Sequence, residues 1–147
     1  MGKEMRSVSL AGLFLVSVLA SSLVWSDELS VSKLYSDDQD ITHFGDEALG
    51  WNVLGSADDA PEATALLPAK EIGFLHFPAS YRSSWHPAPR KQYVMVMEGA
   101  MEVEVGDGEK RIFRPGSVLL VTDTEGRGHK TSAVEGADVV LVWVPVP

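Results

Sequence analysis

Two imidazoles and a side-chain amide are the groups in this sequence best placed to act together: His86, Gln92 and His129. His86 opens the stretch Trp85-His86-Pro87-Ala88-Pro89-Arg90-Lys91-Gln92, which runs on through Tyr93-Val94-Met95-Val96-Met97-Glu98 to Gly99. In an extended chain, side chains an even number of residues apart share a face. His86, Ala88, Gln92, Val94 and Val96 therefore point one way. Pro87 and Pro89 support this, because each biases the residue before it towards extended backbone. His129 lies downstream in Glu125-Gly126-Arg127-Gly128-His129-Lys130-Thr131. Brought together, two imidazole nitrogens and an amide oxygen form a metal-ligand set. Imidazole suits Zn, Fe, Ni and Cu, and an amide oxygen suits the harder end of that series. With no carboxylate ligand, a bound metal keeps its full positive charge, acidifies a bound water and attracts an anionic substrate. Alternatively, His86 and Gln92 hydrogen-bond each other or a buried water, and no metal binds.

The elements that must hold these residues are strands. Ile72 to Phe77, Gln92 to Met97, Ala100 to Val105, Glu109 to Arg114, Ser117 to Val121, His129 to Val134 and Val139 to Val144 each read as a short strand. Met101, Val103 and Val105 alternate with Glu102 and Glu104, so one face is apolar and the other charged. Gly106-Asp107-Gly108 is a hairpin turn and Pro115-Gly116 another. Thr122 to Gly128 is a glycine-flanked loop able to close over a barrel mouth. Residues 27–70 are weakly patterned, with strand candidates only at Ile41–Phe44 and Trp51–Leu54. Many short strands at regular spacing, with no convincing long helix, indicate an all-β sandwich or barrel.

Other side chains are candidates for the same pocket. His76 shares a face with Ile72 and Phe74, as a core or barrel-edge residue or as a reserve ligand. Arg127, two residues before His129, can form bidentate bonds to a substrate carboxylate. Arg90 falls on the His86 face by parity, and Trp85 and Tyr81 can line the pocket or cap the barrel end. The bland alternative for the arginines is solvation or pairing with the chain's many acids. His43 lies in the unpatterned region and carries little weight.

The bulk composition narrows the function classes. The 147 residues suit one domain. Twelve basic residues against 21 acidic ones give a net charge of −9, with no basic block, which argues against nucleic-acid binding. The absence of cysteine excludes disulfides, thiolate ligands, cysteine nucleophiles and a lipoprotein anchor cysteine. No nucleophile elbow or phosphate-cradling glycine loop is present. At the N-terminus, Lys3 and Arg6 precede the apolar run Val8–Ala20, followed by Ser21-Ser22 and Val24-Trp25-Ser26-Asp27. This is the plan of a secretory signal peptide, residues 1–26, whose apolar run is shorter than the roughly 20 residues of a spanning helix. The mature chain is then periplasmic or secreted, with no membrane segment after cleavage.

The motifs resemble those of the cupin superfamily. The first cupin motif is G-x5-H-x-H-x3/4-E-x6-G. Here His86 stands at the first histidine, Ala88 at the second, Gln92 at the glutamate and Gly99 at the closing glycine, while Ser80 replaces the opening glycine. Pro115-Gly116 through His129 resembles the second motif, and together the two span roughly residues 71–145. The resemblance implies a jelly-roll β-barrel, similar to small single-domain cupins of poorly defined activity. It divides the chain into a signal peptide (1–26), N-terminal strands and loops packing on the barrel (27–70) and the barrel core (71–147). It also implies a divalent transition metal, Fe, Ni, Mn or Zn, at His86, Gln92 and His129, with a small oxygenated or anionic substrate near Arg127, Trp85, Arg90 and His76. The activity expected is dioxygenase-, isomerase- or lyase-like, and the other class is a non-catalytic small-ligand or carbohydrate-binding module. A homodimer is expected. The strand Val139–Val144 is apolar on both faces, so it is buried centrally or at such an interface.

Overall fold

Alternating apolar residues cut by glycine and proline turns produce strands throughout a computed structural model that describes residues 28–147. The expected signal peptide lies outside the described residues. The elements are β1 (Glu28–Ser36), β2 (Thr42–Gly50), β3 (Asn52–Val53), β4 (Glu62–Ala63), β5 (Gly73–Phe77), β6 (Gln92–Glu98), β7 (Met101–Glu104), β8 (Lys110–Phe113), β9 (Val118–Val121), β10 (Lys130–Ala133) and β11 (Val139–Pro145). There is no helix among the described residues, and so none long and apolar enough to cross a membrane.

A six-stranded sheet runs in the order β2-β1-β9-β6-β11-β5, and a three-stranded sheet runs β10-β7-β8. One hydrophobic core joins them. Leu34, Val94, Leu119 and Leu141 come from the first sheet, and Met101, Val103, Phe113 and Ala133 from the second. Met101, Val103 and Val105 are 3%, 2% and 0% exposed, as their alternation requires. Their neighbours Glu102 and Glu104 face outward and pair with Lys110. The Gly106-Asp107-Gly108 turn joins β7 to β8, with Gly108 at a φ of 91° that glycine adopts freely. β11 lies between β6 and β5. Its two apolar faces thus belong to a central strand.

The N-terminal residues do more than pack on the barrel. β1 is hydrogen-bonded into the main sheet, antiparallel to β2 and parallel to β9 through Ser32–Leu119 and Leu34–Val121. Leu34 is 1% exposed and reaches the core. The stretch from Trp51 to Ile72 is mostly exposed and contains the small β3–β4 pair.

His76 faces outward, in contrast to the inner or barrel-edge place expected for it. Leu75 and Phe77 turn towards the core, whereas Phe74 is 67% exposed and His76 pairs with Asp138 on the same outer face at 2.9 Å. Both parities of β5 are apolar, so alternation alone did not choose the inner one. His43 also has a structural place. Its Nε2 meets Asp37 at 2.9 Å in the β1–β2 turn, and its Nδ1 meets Asp107 at 2.7 Å in the β7–β8 turn.

Two outcomes follow from this framework. Leu34→Ala should lose about 2–5 kcal/mol of stability in chemical denaturation, the cost of emptying a core site. The second concerns pH. Hydrogen bonds from its ring nitrogens to Asp37 and then Asp107 raise the His43 pKa above its ordinary 6.5. Backbone hydrogen bonds, from Ile41 and Glu109 respectively, are the largest cause lowering Asp37 and Asp107 below 3.8, with His43 adding to both. The carboxylate contribution is present above 3.8 and lost as pH falls through the lowered values. The histidine contribution is full below 6.5 and lost as pH rises through the raised value. The melting-temperature gap between wild type and His43→Asn should therefore be widest near pH 5 and narrow towards pH 9.

Candidate functional site

The segment before β6 extends the three-stranded sheet. Arg82 bridges Ser132, the Ser83 amide donates to the Thr131 carbonyl at 2.9 Å, and the Thr131 amide donates to Ser83 Oγ at 2.8 Å. One step further, His86 and His129 pair across the same junction. The His86 amide donates to the His129 carbonyl at 3.1 Å, and the His129 amide donates to the His86 carbonyl at 3.0 Å. Residues directly opposite in an antiparallel pair project to the same face. The imidazoles consequently sit side by side, with ring centroids 4.7 Å apart and planes inclined at 52°.

Gly128 makes this approach possible. Its φ is 72°, and a Cβ there would lie 2.0 Å from the His86 carbonyl oxygen. A side chain would force the two backbones apart and separate the histidines.

Gln92 enters from the facing sheet. It begins β6, paired with Val121 on one side and Pro145 on the other. Its neighbours along the same face, Val94 and Val96, are buried with it. The Gln92 Oε1 atom is buried and has no hydrogen-bond partner. His86, Gln92 and His129 all line one cavity of about 300 Å³ inside the barrel.

Each histidine is oriented from behind. His86 Nδ1 lies 2.9 Å from the Ser84 carbonyl. A carbonyl only accepts, so that nitrogen carries the hydrogen and Nε2 carries the lone pair. His129 Nδ1 lies 2.7 Å from Asp123 Oδ2, a carboxylate oxygen that fixes the same tautomer. Asp123 is fully buried; Thr42 Oγ1 stands 3.5 Å from its Oδ2, and its Oδ1 has no partner. Sequence reading placed Asp123 in a polar loop and missed it. The one available signal was its position six residues before His129, preceded by the apolar run Val118–Val121.

Of the other candidates only Tyr81 reaches the cavity lining. Ala88 is 3% exposed, and its amide donates to the Asp123 carbonyl at 2.9 Å. The Arg127 guanidinium lies 3.9 Å from the Trp85 ring centroid, with Lys130 Nζ 4.7 Å from the same ring. These contacts form a cation–π stack, and neither Arg127 nor Trp85 is part of the lining. Arg90 is exposed and lies 5.8 Å from the Trp143 ring. His76 is on the outer face, as described. Tyr81 does line the cavity and stacks on Phe77, with centroids 4.1 Å apart.

The Thr122–Gly128 loop is fastened rather than poised to close. The Thr122 amide and hydroxyl both donate to the Leu34 carbonyl, at 2.8 and 2.7 Å. Ser36 Oγ donates to the Glu125 carbonyl at 3.1 Å. These bonds hold the loop against β1, and with it the Asp123 carboxylate under His129.

No protein-family model matches the chain, and no curated protein does. Solved structures similar to it include many cupin-domain proteins. The Cupin 2 conserved barrel domain protein of Salinispora arenicola is 18% identical, over 67% of this chain and 76% of that one, with a TM-score of 0.45. A cupin-like protein of Thermotoga maritima is 15% identical, over 76% of this chain and 75% of that one, with a TM-score of 0.45. A cupin domain from Bordetella pertussis is 16% identical, over 67% of this chain and 93% of that one, with a TM-score of 0.43.

The backing of the histidines has a spectroscopic consequence. In the metal-free protein above the histidine titration range, nitrogen-15 correlation spectra should show both His86 and His129 as the Nδ1–H tautomer. An Nε2–H signal from either ring would contradict the geometry.

Proposed function

We propose that this chain is a small, exported jelly-roll cupin that binds a divalent transition metal at His86, His129 and Gln92 and acts on a small oxygenated molecule. The observation that supports it most is the pair of backed imidazoles. Both Nδ1 atoms are occupied by protein acceptors, so both Nε2 lone pairs remain for a ligand, the arrangement common behind metal-binding histidines. Gln92 lines the same cavity and its Oε1 has no partner, so the amide supplies a third neutral donor once turned into the cavity. The described residues hold no group of three His, Cys, Asp or Glu side chains suited to a metal. In this proposal the third donor is the Gln92 amide. Three neutral donors fit Zn, Fe, Ni or Mn, more weakly than a set with a carboxylate. Such a metal supplies Lewis acidity, or oxygen activation if it is iron.

The chain's own residues then have distinct tasks. Asp123 and the Ser84 carbonyl hold the two rings in one tautomer. Gly128 sets the distance between them. The largely apolar barrel wall lowers the polarity around whatever oxygen approaches them. Export rests on the N-terminal sequence plan, and a homodimer on the apolar outer sheet face, where Ile72 and Phe74 are 66% and 67% exposed.

A second reading is a binding module without turnover. It is favoured by the lining, which among the described residues contains no carboxylate that could serve as acid or base. Turnover against stoichiometric binding by the metal-loaded protein separates the two.

The first test is metal content of untagged mature protein prepared without chelator. Near one equivalent per chain is expected in wild type, lost in His86→Ala and His129→Ala. Asp123→Ala should bind the metal about 10–100-fold more weakly. No metal in wild type after incubation with Fe, Ni, Mn and Zn would sink the proposal.

A further inference from the structure

We infer that the cavity takes a compact, uncharged, largely apolar or aromatic molecule carrying one hydroxyl group, with that hydroxyl directed at the His86, His129 and Gln92 cluster. The inference rests on the proposed site, although not on whether metal occupies it.

Size comes first. The cavity holds about 300 Å³, roughly twice the 150 Å³ that admits benzene in a well-packed core. That suits a ligand of on the order of a dozen non-hydrogen atoms.

Charge comes second. No Lys, Arg, Asp or Glu lines the cavity among the described residues. A carboxylate entering it would lose its hydration with no side-chain cation to replace it. The cations expected to meet an acid are engaged elsewhere, Arg127 on Trp85 and Arg90 beside Trp143 without entering the lining. The anionic substrate suggested by the bare metal charge is thus disfavoured by the wall around it.

Wall chemistry comes third. Phe77 and Tyr81 form a stacked pair, and Trp143 adds another flat face. Leu75, Leu119 and Leu141 complete an apolar body. Such surfaces favour ring stacking and apolar area over sugar hydroxyls.

Polarity at one end selects the functional group. With Nδ1–H on both rings, His86 Nε2 and His129 Nε2 are acceptors, and the unpartnered Gln92 Oε1 is another. The two imidazole acceptors need a donor. A ligand hydroxyl supplies one beside the Tyr81 and Thr131 hydroxyls of the lining, whereas an ether or a ketone supplies none, which costs affinity. The same hydroxyl oxygen can serve a metal through its lone pair.

The test uses three matched probes, 1-naphthol, 1-methoxynaphthalene and 1-naphthoate, titrated calorimetrically into metal-free and metal-loaded protein. One equivalent of 1-naphthol should bind the metal-free form, at least about tenfold tighter than the ether and the carboxylate. Leu119→Trp and Val103→Trp fill the cavity from opposite sheets. Either one, if folded by circular dichroism, should abolish that binding. Naphthoate binding as tightly as naphthol, an ether that binds equally well, or no naphthol binding to either form would overturn the inference. Persistence of binding in a folded filled variant would do the same. Naphthol binding by a protein that takes up no metal would sink the metal proposal and leave this one standing. A metal-loaded protein that prefers naphthoate would do the reverse.

Discussion

Two reciprocal backbone hydrogen bonds between His86 and His129 hold the candidate site together. They splice the segment leading into β6 onto the end of β10, and so tie the two sheets at one end of the barrel. Everything chemical depends on that splice. Because the residues are directly opposed, both imidazoles leave the backbone on one side, into the space between the sheets. Gly128 is the local condition for it, since a Cβ there would collide with the His86 carbonyl. The site is therefore built by sheet pairing rather than by a flexible loop. Its geometry is as rigid as the sheet itself.

Asp123 is the costly part of this arrangement. A fully buried carboxylate with one oxygen lacking a partner is unfavourable unless something offsets the lost hydration. The hydrogen bond with His129 Nδ1 is the strongest compensation available, with a long contact to Thr42 adding little. A leucine at this position would remove the buried acid and leave His129 Nδ1 without its acceptor. Retaining the acid is thus difficult to explain by stability alone and easy to explain by orientation. The loop bonds to Leu34 and Ser36 serve the same end, because they fix the backbone from which Asp123 reaches up.

What the sequence made legible follows from which interactions are local. From β5 onward the strands were readable, because alternation at Met101, Val103 and Val105 and the turns at Gly106–Gly108 and Pro115–Gly116 are local signals. His86 and Gln92 reach the cavity from facing sheets, a convergence that the alternation of one extended chain does not describe. β1 was not readable. Its two most buried residues, Val31 and Leu34, lie three apart with polar residues between them, and its parallel partner β9 is distant in sequence. Asp123 was hidden for a related reason. Thr-Asp-Thr-Glu-Gly reads as a solvent loop, and only long-range contacts with β1 and β2 bury it. His76 does share a face with Ile72 and Phe74, but a strand apolar on both faces does not reveal which face is inside.

The chemistry of the donor set and of the wall point in the same direction. The polar side chains His86, Gln92 and His129 bring no carboxylate to the cavity, and Ala88 brings no polar group at all. An apolar cavity tolerates a neutral polar cluster far better than a charged one, because its members need fewer compensating groups. The carboxylate that remains, Asp123, has been moved behind the ring and out of the cavity lining. The outward cations follow the same logic, with Arg127 and Lys130 both drawn onto the Trp85 ring and kept off the lining. Charge is arranged around this cavity and not within it. Selectivity at the site then rests on shape and on a few hydrogen-bond acceptors, which are the features a rigid, sheet-built site can hold to small tolerances.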